Sequence, residues 1–208
     1  MYRSPVWCSL IAFVASLPGI AALPNPESHF GFRMGADREL AEWSQVVAYY
    51  RLVSEEDRRV RVDDLGATTE GRPLLLVTVA SPETLDRLNY YQNIQRQLAD
   101  PRTTAPQQAE TLIAEGKTIV LITCSIHSSE VASTYTAIQF IYKLLTEDKP
   151  RFRSILQNTI FLLIPSLNPD GVDKVGAWYR RFLGTRYEGA PLVELYHKYT
   201  GHDNNRDW

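Results

Sequence analysis

Apolar runs of strand length alternate along this chain with stretches of helical periodicity. Thr118–Cys124 and Thr159–Pro165 are continuous apolar runs, as expected of strands that are covered on both faces. Between them, apolar residues recur at helical intervals from Val131 to Leu145. A strand, a helix and a second strand with this connection length predict a parallel pair joined by a right-handed crossover.

The region before this unit predicts further helices and a hairpin. Apolar residues at helical spacing predict a helix over Asp37–Val53. Val60–Leu65 and Leu74–Val79 flank a Gly-containing connection and predict a β-hairpin. Pro82–Asp100 has the pattern of a charged surface helix, and Gln107–Glu115 that of a short helix. We therefore expect an α/β fold with a mixed, largely parallel central sheet and helices on both faces.

Two turns that carry polar and charged side chains directly follow the two apolar strands. His127-Ser-Ser-Glu130 comes after the first strand, and Asn168-Pro-Asp-Gly171 after the second. Ligand sites in open α/β sheets lie at the carboxyl ends of such strands. An imidazole and a carboxylate three residues apart can both point at one metal ion, and two His with one Glu is a standard zinc ligand set. This placement predicts a zinc site that contains His127 and Glu130.

Both turns also have purely structural explanations, which the sequence leaves open. Ser128 or Ser129 can cap the helix that follows, with Glu130 near its positive end. Asn168-Pro-Asp-Gly171 matches the residue preferences of a type I turn, and a structural role is the favoured one. His197, in a predicted surface helix over 191–199, and His202 are weaker ligand candidates.

The cysteines and the absence of several catalytic motifs reduce the number of reaction mechanisms that the sequence favours. Cys8 lies in a presumed signal segment, which leaves Cys124 without an intramolecular disulfide partner. A lone buried cysteine is usually a small apolar residue, although His127 nearby keeps a thiol mechanism as a minor alternative. The sequence contains no Gly-x-Ser-x-Gly elbow, no phosphate-binding Gly-rich loop and no His-Glu-x-x-His motif.

Composition and charge indicate a folded domain with a small or peptidic partner. The 208 residues are 44% hydrophobic, and their formal net charge is −2, so the chain can bury a sizeable core. The charge pattern contains no Lys/Arg-rich tract, which argues against nucleic-acid binding.

The first residues have the three-part layout of a secretory signal. Met1–Arg3 precedes an apolar stretch over Val6–Leu17, and small residues follow Pro18. The apolar stretch is too short to span a bilayer, and a buried N-terminal helix is the alternative interpretation. We expect a signal peptide over 1–22, a linker over 23–36 and a secreted or periplasmic protein.

Four arginines near the end of the chain are candidate functional residues. Arg180, Arg181 and Arg186 form a basic cluster that would ordinarily be solvated. Arg206, next to Asn205, can hold a carboxylate through two parallel hydrogen bonds. The alternative for Arg206 is a salt bridge with one of the two neighbouring aspartates, at 203 or 207.

Four motifs, in their order and rough spacing, resemble the zinc carboxypeptidases, the M14 metallopeptidases related to carboxypeptidase A. They are His127–Glu130, Leu167–Gly171, Trp178–Arg181 and Asn204–Trp208. Glu70-Gly-Arg72 before an apolar strand also looks like the early strand region of that family. The resemblance covers roughly 37–208 and implies the N-terminal portion of a catalytic domain whose C-terminal part is missing.

The resemblance implies a role for individual residues. His127 and Glu130 match the first two ligands of Zn²⁺. Arg180 matches the arginine that stabilises the oxyanion of the tetrahedral intermediate. Arg181 is the alternative match for the same position, because an insertion before Asn205 makes the alignment with the family uncertain by one residue. Asn205 and Arg206 match the pair that clamps the terminal carboxylate of the substrate. The zinc of the family polarises the scissile carbonyl and activates water.

The resemblance therefore implies a zinc-dependent metallocarboxypeptidase that hydrolyses C-terminal bonds of peptides or proteins. The third zinc ligand, the general-base Glu and a capping Tyr of the family have no counterpart here, and Ser129 stands where many members have Arg. We accordingly expect weak zinc binding and negligible turnover from this polypeptide. The alternatives are a zinc amidohydrolase or deacylase of similar fold, and a non-catalytic peptide-binding domain.

Overall fold

A computed structural model describes residues 23–194 and 203–206. The predicted signal peptide, His197 and His202 lie outside the described residues. The described α-helices are α1 (Pro26–Phe30), α2 (Trp43–Glu56), α3 (Pro82–Leu85), α4 (Leu88–Ala99), α5 (Pro106–Glu115), α6 (Ala132–Thr146), α7 (Pro150–Asn158) and α8 (Pro169–Phe182). The described strands are β1 (Val60–Ala67), β2 (Pro73–Val79), β3 (Thr118–Thr123) and β4 (Thr159–Ile164), and a 3₁₀ turn covers Asn204–Arg206.

The four described strands form one mixed sheet in the order β1-β2-β4-β3. β1 and β2 form the predicted antiparallel hairpin, and β3 pairs with β4 in parallel with Thr118 opposite Thr159. The mixed α/β class is therefore confirmed. β2 and β4 are antiparallel, so only one of the three described pairs is parallel. This sheet is less parallel than we predicted, because the hairpin joins the parallel pair through an antiparallel contact.

Apolar side chains of β4 alternate between two cores on opposite faces of the sheet. Phe161 and Leu163 belong to the main core, which α2 and α6 cover, whereas Ile160 and Leu162 belong to a smaller cluster with Tyr91 of α4. A strand points successive side chains to opposite faces. The predicted placement of helices on both faces is thus confirmed. Within the described residues, no helix is long and apolar enough to cross a membrane.

Several predicted helix boundaries differ from the observed ones. α2 begins at Trp43 rather than Asp37, because Glu42 and Gln45 form a reciprocal capping box at that point. The single helix predicted over 82–100 is divided into α3 and α4, since Arg87 between them leaves the helical conformation. Residues 191–194, the start of another predicted helix, are not helical, and the remainder of that segment lies outside the described residues.

The segment over 23–36, which we predicted as a linker, packs onto the main core. Asn25 caps α1 by accepting a hydrogen bond from the Glu27 N–H. Phe30 and Met34 are both buried in the main core. This segment therefore contributes to the packed structure.

A cluster of charged side chains joins the β1–β2 connection to the start of α8. The Asp170 carboxylate accepts hydrogen bonds from the Thr68 hydroxyl at 2.6 Å, the Glu70 N–H at 3.1 Å and the Arg72 guanidinium at 3.0 Å. Arg72 also donates to Asp173 at 2.6 Å. Burial alone would lower the pKa of Arg72, but these hydrogen bonds raise it above its ordinary value. The guanidinium therefore joins the β1–β2 connection to the first turns of α8.

Replacing Arg72→Met should lower the free energy of unfolding by about 2 kcal/mol, because a largely buried carboxylate loses its charged donor. Equilibrium unfolding in urea measures this loss. Arg102→Met is the matched control, since Arg102 pairs with Asp100 on the exposed surface, and its urea midpoint should stay unchanged. Equal losses in the two variants would contradict the proposed importance of the cluster.

Candidate metal centre

The loops after β3 and β4 leave the sheet side by side. Beyond the strands, the Cys124 N–H donates to the Ile164 carbonyl at 3.0 Å, and the Leu167 N–H donates to the Cys124 carbonyl at 2.8 Å. Both loops therefore begin at the same edge of the sheet, as the parallel pairing requires.

Buried hydroxyl groups tie these two loops together. The Ser128 hydroxyl donates to the Asn168 carbonyl at 3.0 Å, and the Thr134 hydroxyl donates to the Pro165 carbonyl at 2.9 Å. Ser128 therefore does not cap α6, contrary to one of the structural explanations, and α6 has no side-chain cap at its N-cap residue, Val131. The serine instead fixes the loop that carries His127 and Glu130.

The predicted turn over Asn168–Gly171 is the first turn of α8. The Asn168 side chain accepts a hydrogen bond from the Gly171 N–H at 2.9 Å, and Pro169 occupies the first helical position. A Cβ atom at Gly171 would lie 2.3 Å from the Ser128 hydroxyl oxygen. Glycine is therefore needed here because the two loops approach each other so closely.

Ser125, two residues before His127, has a left-handed backbone with a φ of 49°. Its side chain is buried, and its hydroxyl lies 2.7 Å from the Ser133 hydroxyl and 2.8 Å from that of Thr134. Its N–H also donates to Ser133 at 3.1 Å. A non-glycine residue persists in this conformation only where its surroundings enforce it. The hydroxyl network thus sets the direction in which the chain leaves β3.

His127 and Glu130 point toward one another. The His127 Nδ1 and the Glu130 Oε1 atoms lie 3.5 Å apart. Two ligands on a tetrahedral zinc, with bonds of about 2.0–2.2 Å, are separated by about 3.4 Å. The pair therefore has the spacing that two ligands of one zinc ion require. Within residues 23–194 and 203–206, no cluster of three or more metal-binding side chains is found.

Asp203 holds the other nitrogen of the His127 ring. The His127 Nε2 and the Asp203 Oδ1 atoms are 2.8 Å apart. This hydrogen bond is the main cause that raises the pKa of His127, with a smaller contribution from Glu130, and it lowers the pKa of Asp203. Metal-bound histidines ordinarily donate their second ring N–H to a carboxylate or carbonyl. The sequence indicates Asp203 only as a partner of Arg206, and its contact with His127 becomes visible only in the structure.

The turn that contains Asn205 and Arg206 is placed beside His127 through Asp203. The Asn205 N–H donates to the Asp203 Oδ1 atom at 3.0 Å, and the Arg206 guanidinium lies 3.5 Å from Oδ2. The salt bridge that the sequence left open is thus present. The Arg206 side chain is 70% exposed, so most of its donors face solvent.

The other predicted site arginines contact different parts of the chain. The Arg180 guanidinium donates to the Leu40 carbonyl at 3.1 Å and lies 3.4 Å from the Glu42 carboxylate. The Arg181 guanidinium lies over the Phe182 ring. These contacts engage Arg180 with the segment before α2, and its role toward a substrate stays a prediction.

Cys124 is half-buried at the end of β3, and burial raises the pKa of its thiol. Thiolate nucleophiles need the opposite shift. The structure therefore supports the interpretation of Cys124 as a small apolar residue and disfavours the thiol mechanism.

Comparison with known proteins finds a family model and distant relatives. The model described as zinc carboxypeptidase, Peptidase_M14, matches residues 46–208. "Cytosolic carboxypeptidase-like protein 5" from Danio rerio is 33% identical over 57 residues, which cover 27% of this chain and 6% of that protein. The protein of the same name from Homo sapiens is 37% identical over 57 residues, which cover 27% of this chain and 6% of that protein.

Several solved structures with partial similarity are described as carboxypeptidases. Thrombin activatable fibrinolysis inhibitor is 15% identical with a TM-score of 0.49, over 76% of this chain and 33% of that chain. Carboxypeptidase A from Helicoverpa armigera is 16% identical with a TM-score of 0.45, over 70% of this chain and 31% of that chain. The chain thus spans about a third of the length of these structures.

At Ser125, the glycine variant should be more stable than the alanine variant, which is the reverse of their usual order of stability. Ser125→Gly removes the hydroxyl and relieves the left-handed backbone, whereas Ser125→Ala removes the hydroxyl and keeps the unfavourable conformation. We expect the alanine variant to be less stable by about 1 kcal/mol in urea unfolding.

Thr136, on the exposed side of α6, provides the control for this comparison. In a helix interior glycine is the worse residue by about 1 kcal/mol, so Thr136→Gly should be less stable than Thr136→Ala. The same order at both positions would show that the backbone at Ser125 is not constrained as described.

Proposed function

Because the chain belongs to the zinc carboxypeptidase family, we propose that it serves in a zinc-dependent metallocarboxypeptidase that hydrolyses C-terminal peptide bonds. The observation that carries this proposal is the 3.5 Å approach of the His127 Nδ1 atom to the Glu130 Oε1 atom. These two side chains would hold the zinc. The substrate would be the C-terminus of a peptide or protein.

Bound zinc would supply a Lewis acid and an activated water in this site. The Nε2 atom of His127 lies 2.8 Å from the Asp203 carboxylate. With its Nε2–H donated to that carboxylate, the ring would turn its Nδ1 atom toward the metal. Glu130 contributes a negative charge at the same point, and its side chain is 65% exposed. The chain thus provides one neutral and one anionic ligand with a fixed ring orientation.

Asn205 and Arg206 are proposed to hold the terminal carboxylate of the substrate. The exposed Arg206 guanidinium can accept a carboxylate through two parallel hydrogen bonds, and its 3.5 Å ion pair with Asp203 keeps it near His127. Arg180 is proposed to meet the negative charge that develops on the scissile carbonyl. To do so it would exchange its present contacts with Leu40 and Glu42.

An exported location is a separate proposal. It rests on the pattern of the first residues, Met1–Arg3 and the apolar stretch up to Leu17. N-terminal sequencing of the protein after expression in a secreting host would test it, since an unprocessed N-terminus in the exported fraction contradicts a cleavable signal.

Zinc binding should depend on both proposed ligands. His127→Ala and Glu130→Ala should each weaken zinc affinity by at least about tenfold, because each removes one metal bond from an already small ligand set. Competition with a chromophoric chelator at neutral pH measures the affinity. His29→Ala and Glu147→Ala are matched controls elsewhere on the chain and should leave it unchanged. Unaltered zinc binding in either ligand variant would refute the assignment.

Zinc affinity should fall as the pH is lowered through the pKa of His127. That pKa is raised above 6.5 mainly by Asp203, and zinc needs the unprotonated imidazole, so affinity should drop about tenfold per pH unit below it. In a plot of zinc affinity against pH, the bend is the pH below which the affinity begins to fall. Asp203→Asn removes the main cause of the raised His127 pKa and should move this bend to lower pH. Asp100→Asn makes the same charge change on the exposed surface and should leave the bend in place. An unchanged bend in Asp203→Asn would contradict the proposed coupling.

A further inference from the structure

A cavity of about 490 Å³ lies between the segment over 35–40, the start of α6, the middle of α8 and residues 189–192. Cavities of about 300–1,000 Å³ are typical of sites for small molecules and side chains. We call it the aromatic cavity, since Tyr135, Trp178 and Tyr179 line it.

The aromatic cavity adjoins the candidate metal centre. Ser129 and Val131, the two neighbours of Glu130 in the chain, both line it. Consecutive Cα atoms are about 3.8 Å apart, so the cavity begins within one residue of the proposed ligand. None of residues 203–206 lines it. A peptide held by its carboxylate at Arg206 would therefore reach the cavity with another part of its chain.

The polar atoms of the three aromatic side chains are occupied within the protein. The Trp178 indole N–H donates to the Ala190 carbonyl at 2.8 Å, and the Tyr179 hydroxyl donates to Glu188 at 3.1 Å. The Tyr135 hydroxyl accepts a backbone N–H at 2.7 Å. What the rings can offer a ligand is therefore apolar surface. Aliphatic side chains add further apolar surface to the lining: Leu40, Val131, Val175 and Leu192.

The rim of the aromatic cavity carries exposed acidic residues. Asp37 and Glu39 are both exposed there, and the Arg38 guanidinium between them lies 3.0 Å from the Glu188 carboxylate. Because Arg38 is paired with Glu188, it neutralises less of the negative charge of Asp37 and Glu39. An acidic ligand group would meet like charge on entry, so these carboxylates disfavour an acidic side chain in the cavity.

We propose that the aromatic cavity is a substrate subsite for a large apolar side chain, such as Phe, on a residue N-terminal to the scissile bond. The inference rests on the proposed function, which places the scissile bond at His127 and Glu130 and the terminal carboxylate at Arg206. The residues upstream of the scissile bond are then the part of the peptide left to fill the cavity.

Titration of the zinc-loaded chain with synthetic peptides tests the subsite. The probes are acetylated hexapeptides with a C-terminal Leu and Gly elsewhere, in which one Phe occupies the second, third or fourth position from the C-terminus. The Trp178 indole N–H signal in ¹H–¹⁵N spectra reports binding. At one position, Phe should bind about tenfold more tightly than Gly, as burial of a large apolar side chain implies. Glu at that position should bind more weakly than Gly.

Two identical substitutions on exposed helix positions provide the matched variants. Ala132 lines the aromatic cavity, whereas Ala177, on α8, does not. Ala132→Phe should fill the cavity and abolish the tenfold advantage of Phe over Gly, with the Gly peptide unaffected. Ala177→Phe should retain the advantage. Loss of the advantage in both variants, or in neither, would overturn the subsite.

The outcomes separate this inference from the proposed function. Zinc binding that needs His127 and Glu130, together with no gain from Phe at any position, refutes the subsite alone. The same result follows if the cavity is filled by another part of this chain or by a second copy. If zinc is not bound through these ligands either, the proposed function fails as well.

Discussion

The parallel pairing of β3 with β4 determines where the two loops of the candidate site lie. It brings the loops after the two strands to one edge, where the Cys124 and Leu167 backbones continue the pairing. The hydroxyl groups of Ser128 and Thr134 then satisfy carbonyls of the neighbouring loop. Buried polar groups of this kind are costly when unpaired, so the two loops hold one relative position. His127 and Glu130, the proposed zinc ligands, follow directly from this fixed arrangement.

Local patterns were sufficient to predict the parts of the site that lie close together in sequence. The apolar runs and the helical period between them predicted the β3–α6–β4 unit, and the three-residue spacing of His127 and Glu130 predicted their convergence. The contact of His127 with Asp203 spans 76 residues, so no periodicity could indicate it. The sequence Asn168-Pro-Asp-Gly171 predicts a turn, because the first turn of a helix with Pro at N1 has the same residue preferences.

Asp203 is the point at which the two halves of the proposed chemistry meet. One oxygen of its carboxylate accepts from both His127 and the Asn205 N–H, and the other lies near Arg206. The negative charge of this carboxylate favours the protonated form of the His127 imidazole. It also attracts the Arg206 guanidinium and keeps it nearby. The positions of the proposed zinc ligand His127 and of the proposed carboxylate-binding Arg206 are consequently linked through one side chain.

The close approach at Gly171 has a consequence for protein engineering. A single methyl group there would lie 2.3 Å from the Ser128 hydroxyl oxygen, so the Gly171 backbone lies directly against the Ser128 side chain. A residue larger than glycine at position 171 therefore fits only if Ser128 is replaced as well. A mutational library that varies the two loops would need to change positions 128 and 171 as a pair.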